Sequence, residues 1–381
     1  MRYVYPHIRK IAQGINFLCA AYFVVFSFLF LFCLQSDLLT QVKYQMSSSE
    51  DSSFSPFWAA TLCTLILWSL GVLLKRLLHW LPLRLKALIW FVPFLLLAFL
   101  THWRFPQYGD SGTMPSPLYL VLYVIIYIYL LLRGYAHIDS SKEHETFSTY
   151  AWPNVLLLIL MSCMSISFSN TDIVMHRTLR AASQLADADY DGVLETARYE
   201  QHPSQQLSAM TALALSNRGE LGEHLFAYPQ PFGSEGLLPQ LADTALFFNL
   251  PLAAGNHIGY KRGPRSRVSL FLEVISTMPK AKPSVRDYRL AAALLDRDLP
   301  RFASILKSDT ASVPMPIHYR EAMLLHSYLT NDSTIAPADS FLTADFQEFR
   351  LLLDESGTKD EREFLCRNRF GATYWTYFYF H

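Results

Sequence analysis

From Ile11 to Leu34 the chain carries no charged side chain, and this run constrains the fold more than any other feature. A helix over it reaches across a hydrocarbon core of about 30 Å, and in lipid only a helix or a closed barrel satisfies every backbone polar group. Arg2, Arg9 and Lys10 precede the run as they would in a signal peptide. The stretch is too long for a signal core, however, and no A-x-A-like site follows it. Cys19, in Asn16-Phe17-Leu18-Cys19, lacks the small preceding residue that lipoprotein processing needs. The run reads as an uncleaved membrane helix.

Four further apolar stretches lie near 57–74, 87–103, 118–132 and 153–168, giving an expected transmembrane domain over 1–170 with about five spans. The last three are short, and Trp90, Trp103, Tyr135, Tyr150 and Trp152 can extend them as interfacial anchors. Arg2, Arg9, Lys10, Lys75, Arg76, Arg84, Lys86, Arg133 and Lys142 fall on one side; only Lys43 and Arg104 fall on the other. That bias predicts a cytoplasmic N-terminus, and five spans then carry 171–381 to the periplasm of an inner-membrane protein. Taken over 11–34, 57–74, 87–100, 118–132 and 155–168, the spans hold no Asp, Glu, Lys, Arg or His, which weighs against an ion-coupled transporter.

The second half differs in composition. Residues 171–381 hold 21 of the 32 Lys+Arg and 25 of the 32 Asp+Glu. With no net charge overall, the balance argues against a nucleic-acid partner. Short amphipathic helices are expected from Val174 to Arg369, with no alternating strands, so the fold class is all-α. Tyr190, Leu221 and Leu252 sit at turn-like positions 31 residues apart. Paired helices at about this period predict an α-solenoid of tetratricopeptide-like hairpins. Cys19, Cys33, Cys63 and Cys163 lie in spans, which leaves Cys366 alone in the exported domain with no disulfide partner there.

The segments Leu213-Ala-Leu-Ser-Asn-Arg-Gly219-Glu-Leu-Gly-Glu-His-Leu-Phe226 and Gly236-Leu-Leu-Pro239 resemble an uncharacterised family of Bacteroidota membrane proteins. Met315-Pro-Ile-His-Tyr-Arg-Glu-Ala-Met-Leu-Leu325 and Thr373-Tyr374-Trp375 are similar to it as well. The resemblance implies N-terminal spans and a tetratricopeptide-like periplasmic region, and supplies no activity.

Local motifs carry little chemistry. Asp187, Asp189 and Asp191, followed by Gly192, match the start of an EF-hand loop, yet the bidentate Glu of position 12 is replaced by Arg198. A turn with acidic caps fits better. Gly109-Asp110-Ser111-Gly112 has no protease domain around it and reads as a turn. Lys261, Arg262, Arg265 and Arg267 crowd a Gly/Pro turn, read as a solvated loop in preference to a lipid-headgroup contact. His318 and Glu321 lie one helical turn apart, and His137, His144 and Glu145 show no metal-ligand spacing. HExxH, CxxC, Walker and GxGxxG patterns are missing. The expectation is therefore no catalytic, cofactor or metal residues, and a non-enzymatic membrane protein presenting helical repeats to an envelope protein. The alternative is a membrane enzyme or accessory subunit acting on a glycan or lipid through Arg104 or Asp110. The tail Thr373–His381, six of whose nine residues are aromatic, is expected to close the last hairpin as a cap.

Overall fold

The computed structural model describes residues 6–40, 55–102, 117–136, 146–239, 249–260, 267–307, 315–332, 337–354 and 358–381. These are helical, and the chain divides into two compact units, Met1–His176 and Arg177–His381.

Unit 1 contains α1 (Pro6–Leu29, continued by a π-turn to Leu34), α2 (Pro56–Leu77), a 3₁₀ segment (Leu83–Trp90) leading into α3 (Phe91–Thr101), α4 (Pro117–Ala136) and α5 (Phe147–Phe168). Four stretches are long and apolar enough to cross a membrane: His7–Leu34, Pro56–Leu77, Leu83–Thr101 and Phe147–Phe168. α4 is a fifth apolar helix, with Val121–Arg133 the described part of its apolar length. The third stretch begins four residues before the expected Ala87, because Pro82 starts a helical rise through the 3₁₀ segment. Arg84 and Lys86 consequently lie inside it, which corrects the reading of charge-free spans.

Unit 1 is apolar on its outside as well as in its core. α2 buries Ala60, Thr64, Leu67 and Gly71 and exposes Leu62, Leu65, Ile66 and Leu73. The small inward residues Ala60 and Gly71 let neighbouring backbones approach closely. Phe23 stacks on Trp90 at 4.7 Å and meets Phe94 edge-on at 5.0 Å, joining α1 to the 3₁₀–α3 corner. Asn154 holds that corner from α5. Its Oδ1 accepts from Ala87 N–H at 2.7 Å, and its Nδ2 donates to the Leu83 and Tyr150 carbonyls at 2.8 and 2.7 Å. A fully buried amide thus serves backbone groups that 3₁₀ geometry leaves without helical partners.

In the second half, α6 (Ile173–Ala186) enters unit 2. There follow α7 (Tyr190–Arg198), α8 (Gln205–Arg218), α9 (Leu221–His224), α10 (Asn249–Ile258), α11 (Val268–Ser276) and α12 (Ser284–Leu295). Then come α13 (Leu299–Lys307), α14 (Ile317–Thr330), α15 (Ser340–Leu353), α16 (Lys359–Phe370) and α17 (Tyr374–Phe380). The Ser204 hydroxyl caps α8 by accepting from Leu207 N–H at 3.1 Å, and Gly219 ends it at φ +72°, a conformation glycine adopts without a Cβ penalty. Between those ends every residue from Gln206 to Leu215 is buried, as are Leu290–Leu295 of α12. Helices covered on all sides form a centre.

Two expectations change here. Pro251–Ala253, taken as the third turn of the 31-residue register, lies inside α10, where proline is tolerated because first-turn N–H groups need no helical partner. The open α-solenoid is also corrected. In a one-dimensional stack each hairpin meets only its neighbours. Here α9 packs on both α12 and α14, and α14 on α17. Ile317 N–H reaches Glu223 Oε2 at 3.1 Å across 94 residues, and the His381 ring meets the Gln230 carbonyl across 151. The unit closes on itself.

Candidate functional site

A cleft of about 340 Å³ opens between α7, the end of α8 and Tyr228. The Asp189 carboxylate caps α7, accepting from Gly192 N–H at 3.0 Å, and so fixes the first turn that carries Asp191. The left-handed turn at Gly219 sets Glu220 beside Arg218, whose Nη2 donates to Glu220 Oε1 at 2.8 Å. Arg218 also pairs with Asp191, tying the two walls together. Glu195 and Arg198, one turn apart on α7, form no ion pair among the described residues and face the same opening. Tyr199 stands 68% exposed at the rim. Burial pushes the Tyr228 phenol above its ordinary range, with Arg198 and Arg218 opposing it, so it stays a neutral donor and acceptor. Free groups of both signs beside two phenols suit recognition of a polar, charged surface.

The cleft explains the fate of the acidic motif. Asp189 is used as a helix cap and Asp191 as an arginine partner, so neither points into a shared cation site. Among the described residues no group of three or more His, Cys, Asp or Glu is arranged to hold a metal ion.

His318 and Glu321 form a close pair, Nδ1 to Oε2 at 2.9 Å, but 3% and 2% exposed. α17 covers them. Glu321 Oε2 also accepts from Tyr374 N–H at 2.8 Å, and the Glu321 carbonyl accepts from Trp375 Nε1–H at 2.9 Å. His318 Nε2 accepts from Phe226 N–H at 3.4 Å, so the network assigns the imidazole proton to Nδ1. Every polar atom named here serves the protein itself, and no approach remains for a substrate. The pair is a fastening for the tail, whose Tyr374, Trp375 and Thr376 are buried as the cap reading expected.

A second polar cluster, not foreseen from the sequence, lies beyond the ends of α1 and α5. Gln35 Nε2 donates to the Asn170 carbonyl at 3.1 Å, and Asn170 N–H donates to the Thr101 carbonyl at 2.9 Å. His176 contacts the Asn170 carbonyl through Nε2 at 3.2 Å and Asp37 through Nδ1 at 3.5 Å. Contact with Asp37 raises the His176 pKa above its ordinary value, against the opposing effect of burial.

The remaining candidates are quickly placed. Cys366 is fully buried on α16, and burial pushes its thiol up, away from the reactive thiolate. Arg267 is the residue that precedes α11. Arg104, Gly109–Gly112, His137, His144, Glu145 and Lys261–Arg265 lie outside the described residues. Glu195 and Arg198 enter the sequence reading only as positions of the acidic motif, and their grouping with Tyr199 and Tyr228 was missed because the four gather from a helix face and a later loop. The available signal was an unmatched Glu and Arg at helical spacing before Tyr199.

No curated protein matches the chain, and no solved structure does. A family described as of unknown function, DUF6057, matches residues 4–263 and 267–381, and this helical chain with its apolar first half therefore belongs to that family.

Proposed function

We propose that the protein is a non-enzymatic inner-membrane protein that crosses the bilayer five times and displays its helical second unit in the periplasm to bind another envelope protein. Four apolar helices of spanning length, the fifth apolar helix α4 and the outward-facing leucines of α2 support the membrane reading. The loop-charge bias supports the orientation. The resemblance to Bacteroidota membrane proteins supports the compartment.

One observation carries the binding reading. The close His–Glu pair is sealed beneath the tail, whereas the cleft at Arg198 and Tyr228 is open and holds Glu195 and Arg198, which form no ion pair among the described residues. A photo-crosslinking residue in place of Tyr199 tests it in cells. One specific envelope protein is expected in the crosslinked product, and Arg198→Glu is expected to abolish that band while leaving the protein's level unchanged. Diffuse or missing crosslinks, or a band indifferent to Arg198→Glu, would refute the assignment.

A further inference from the structure

We propose that Lys86 and Lys75 form a binding site for the phosphate of an anionic phospholipid headgroup at the end of α2. The proposal rests on the membrane reading given above.

Lys86 is 5% exposed, and its ammonium, with three donors, has one acceptor among the described residues, the His79 carbonyl at 3.2 Å. A buried charge ordinarily pairs with its opposite. No carboxylate pairs with Lys86 among the described residues, and the charge acting on it, Lys75, has the same sign. The described carboxylates of unit 1, Asp37 and Asp172, lie beyond the C-terminal ends of α1 and α5, while Lys86 neighbours the Leu83 and Ala87 backbone held by Asn154 near the start of α5. The end of α2 contributes roughly half a negative charge. Lys75 and Arg76 of its last turn, together with Lys86, set three positive charges against it. No described residue balances these charges, and an anion bound beside them would.

Shape selects a lipid. Leu73, two residues before Lys75 on α2, is 54% exposed and offers apolar surface to acyl chains below the cations. The site is also rigid. Trp90 packs so closely on Gly71 that a Cβ there would fall 2.3 Å from its ring, locking α2 against the segment that carries Lys86. Arg84 lies over the Tyr150 ring at 5.8 Å and supplies no negative charge.

Native mass spectrometry of the full chain in non-ionic detergent, with equimolar phosphatidylglycerol and phosphatidylcholine, provides the test. A preference for phosphatidylglycerol is expected. Lys86→Met should cut that preference about fivefold. Lys75→Gln, at an exposed position, should reduce it without altering thermal stability, which keeps the test valid if Lys86→Met misfolds. Arg133→Gln, in the last turn of α4, should leave it unchanged. Equal adducts with both lipids, a preference that survives both lysine changes, or an equal loss in Arg133→Gln would overturn the proposal. Displacement of the lipid by inorganic phosphate alone would assign the site to free phosphate and overturn it too. Flotation with pure phosphatidylcholine vesicles separates the two readings. A chain that does not float refutes the membrane reading, whereas one that floats without lipid preference refutes only this site.

Discussion

Two histidines report on pH with opposite signs. Burial, aided by Lys282, holds His257 below its ordinary value of about 6.5, while contact with Asp37 holds His176 above it. The folded chain takes up the His257 proton less readily than the unfolded chain does. Its stabilisation is complete above the ordinary value and is lost as pH falls through the lowered pKa. For His176 the stabilisation is complete below the ordinary value and is lost as pH rises through the raised one. Hydrogen exchange on the full chain, corrected for intrinsic rates, should show protection near Asn170–His176 weakening with alkali and protection around α10 weakening with acid. Asp37→Asn should flatten the first profile and His257→Gln the second. Parallel profiles at the two sites would contradict the assignment.

At the level of elements, α17 is held by ring contacts and hydrogen bonds to what it covers. Trp375 lies between Phe346 and Phe349, ring centroids at 4.9 and 5.9 Å, and Tyr377 Oη donates to the Leu295 carbonyl at 2.8 Å. Trp375→Ala should cost about 3–5 kcal/mol, and deletion of 373–381 more, since the Glu321 carboxylate then loses a donor in an apolar setting. The measurement is thermal unfolding of the full chain in detergent, with exchange protection of α14 as the local probe. Unchanged protection there would show that the tail merely rests on the surface. Burial of this tail was legible in the sequence because so many adjacent aromatics cannot remain in water. Its receptor was not legible: Glu321 reads as one helical carboxylate until Tyr374, 53 residues later, is seen to donate to it. The 31-residue register failed for a related reason. Turn chemistry is local, whereas contacts such as Ile317 with Glu223 span 94 residues and leave no periodic trace.

For the whole molecule, the odd number of spans is the consequential claim. A reporter active only outside the cytoplasm should be active when fused after His381 and silent at Lys142; the reverse pattern would invert the orientation. Most of unit 1 was legible because hydropathy is a one-dimensional signal. The charged start of the third stretch was not, since the 3₁₀ segment depends on Asn154, contributed by a helix 71 residues later. The order of elements has a further consequence, in time. A ribosome releases α14 well before α17, so during synthesis the Glu321 carboxylate lacks the Tyr374 N–H and the Glu321 carbonyl lacks the Trp375 Nε1–H. The second unit can gather its central helices while the chain is still emerging, but its interior is sealed only by the segment that emerges after them. Messages cut short between Phe370 and Tyr374 would therefore yield a chain that inserts normally, collapses nearly normally, and still displays an open polar seam by which a protease can tell it from the longer molecule.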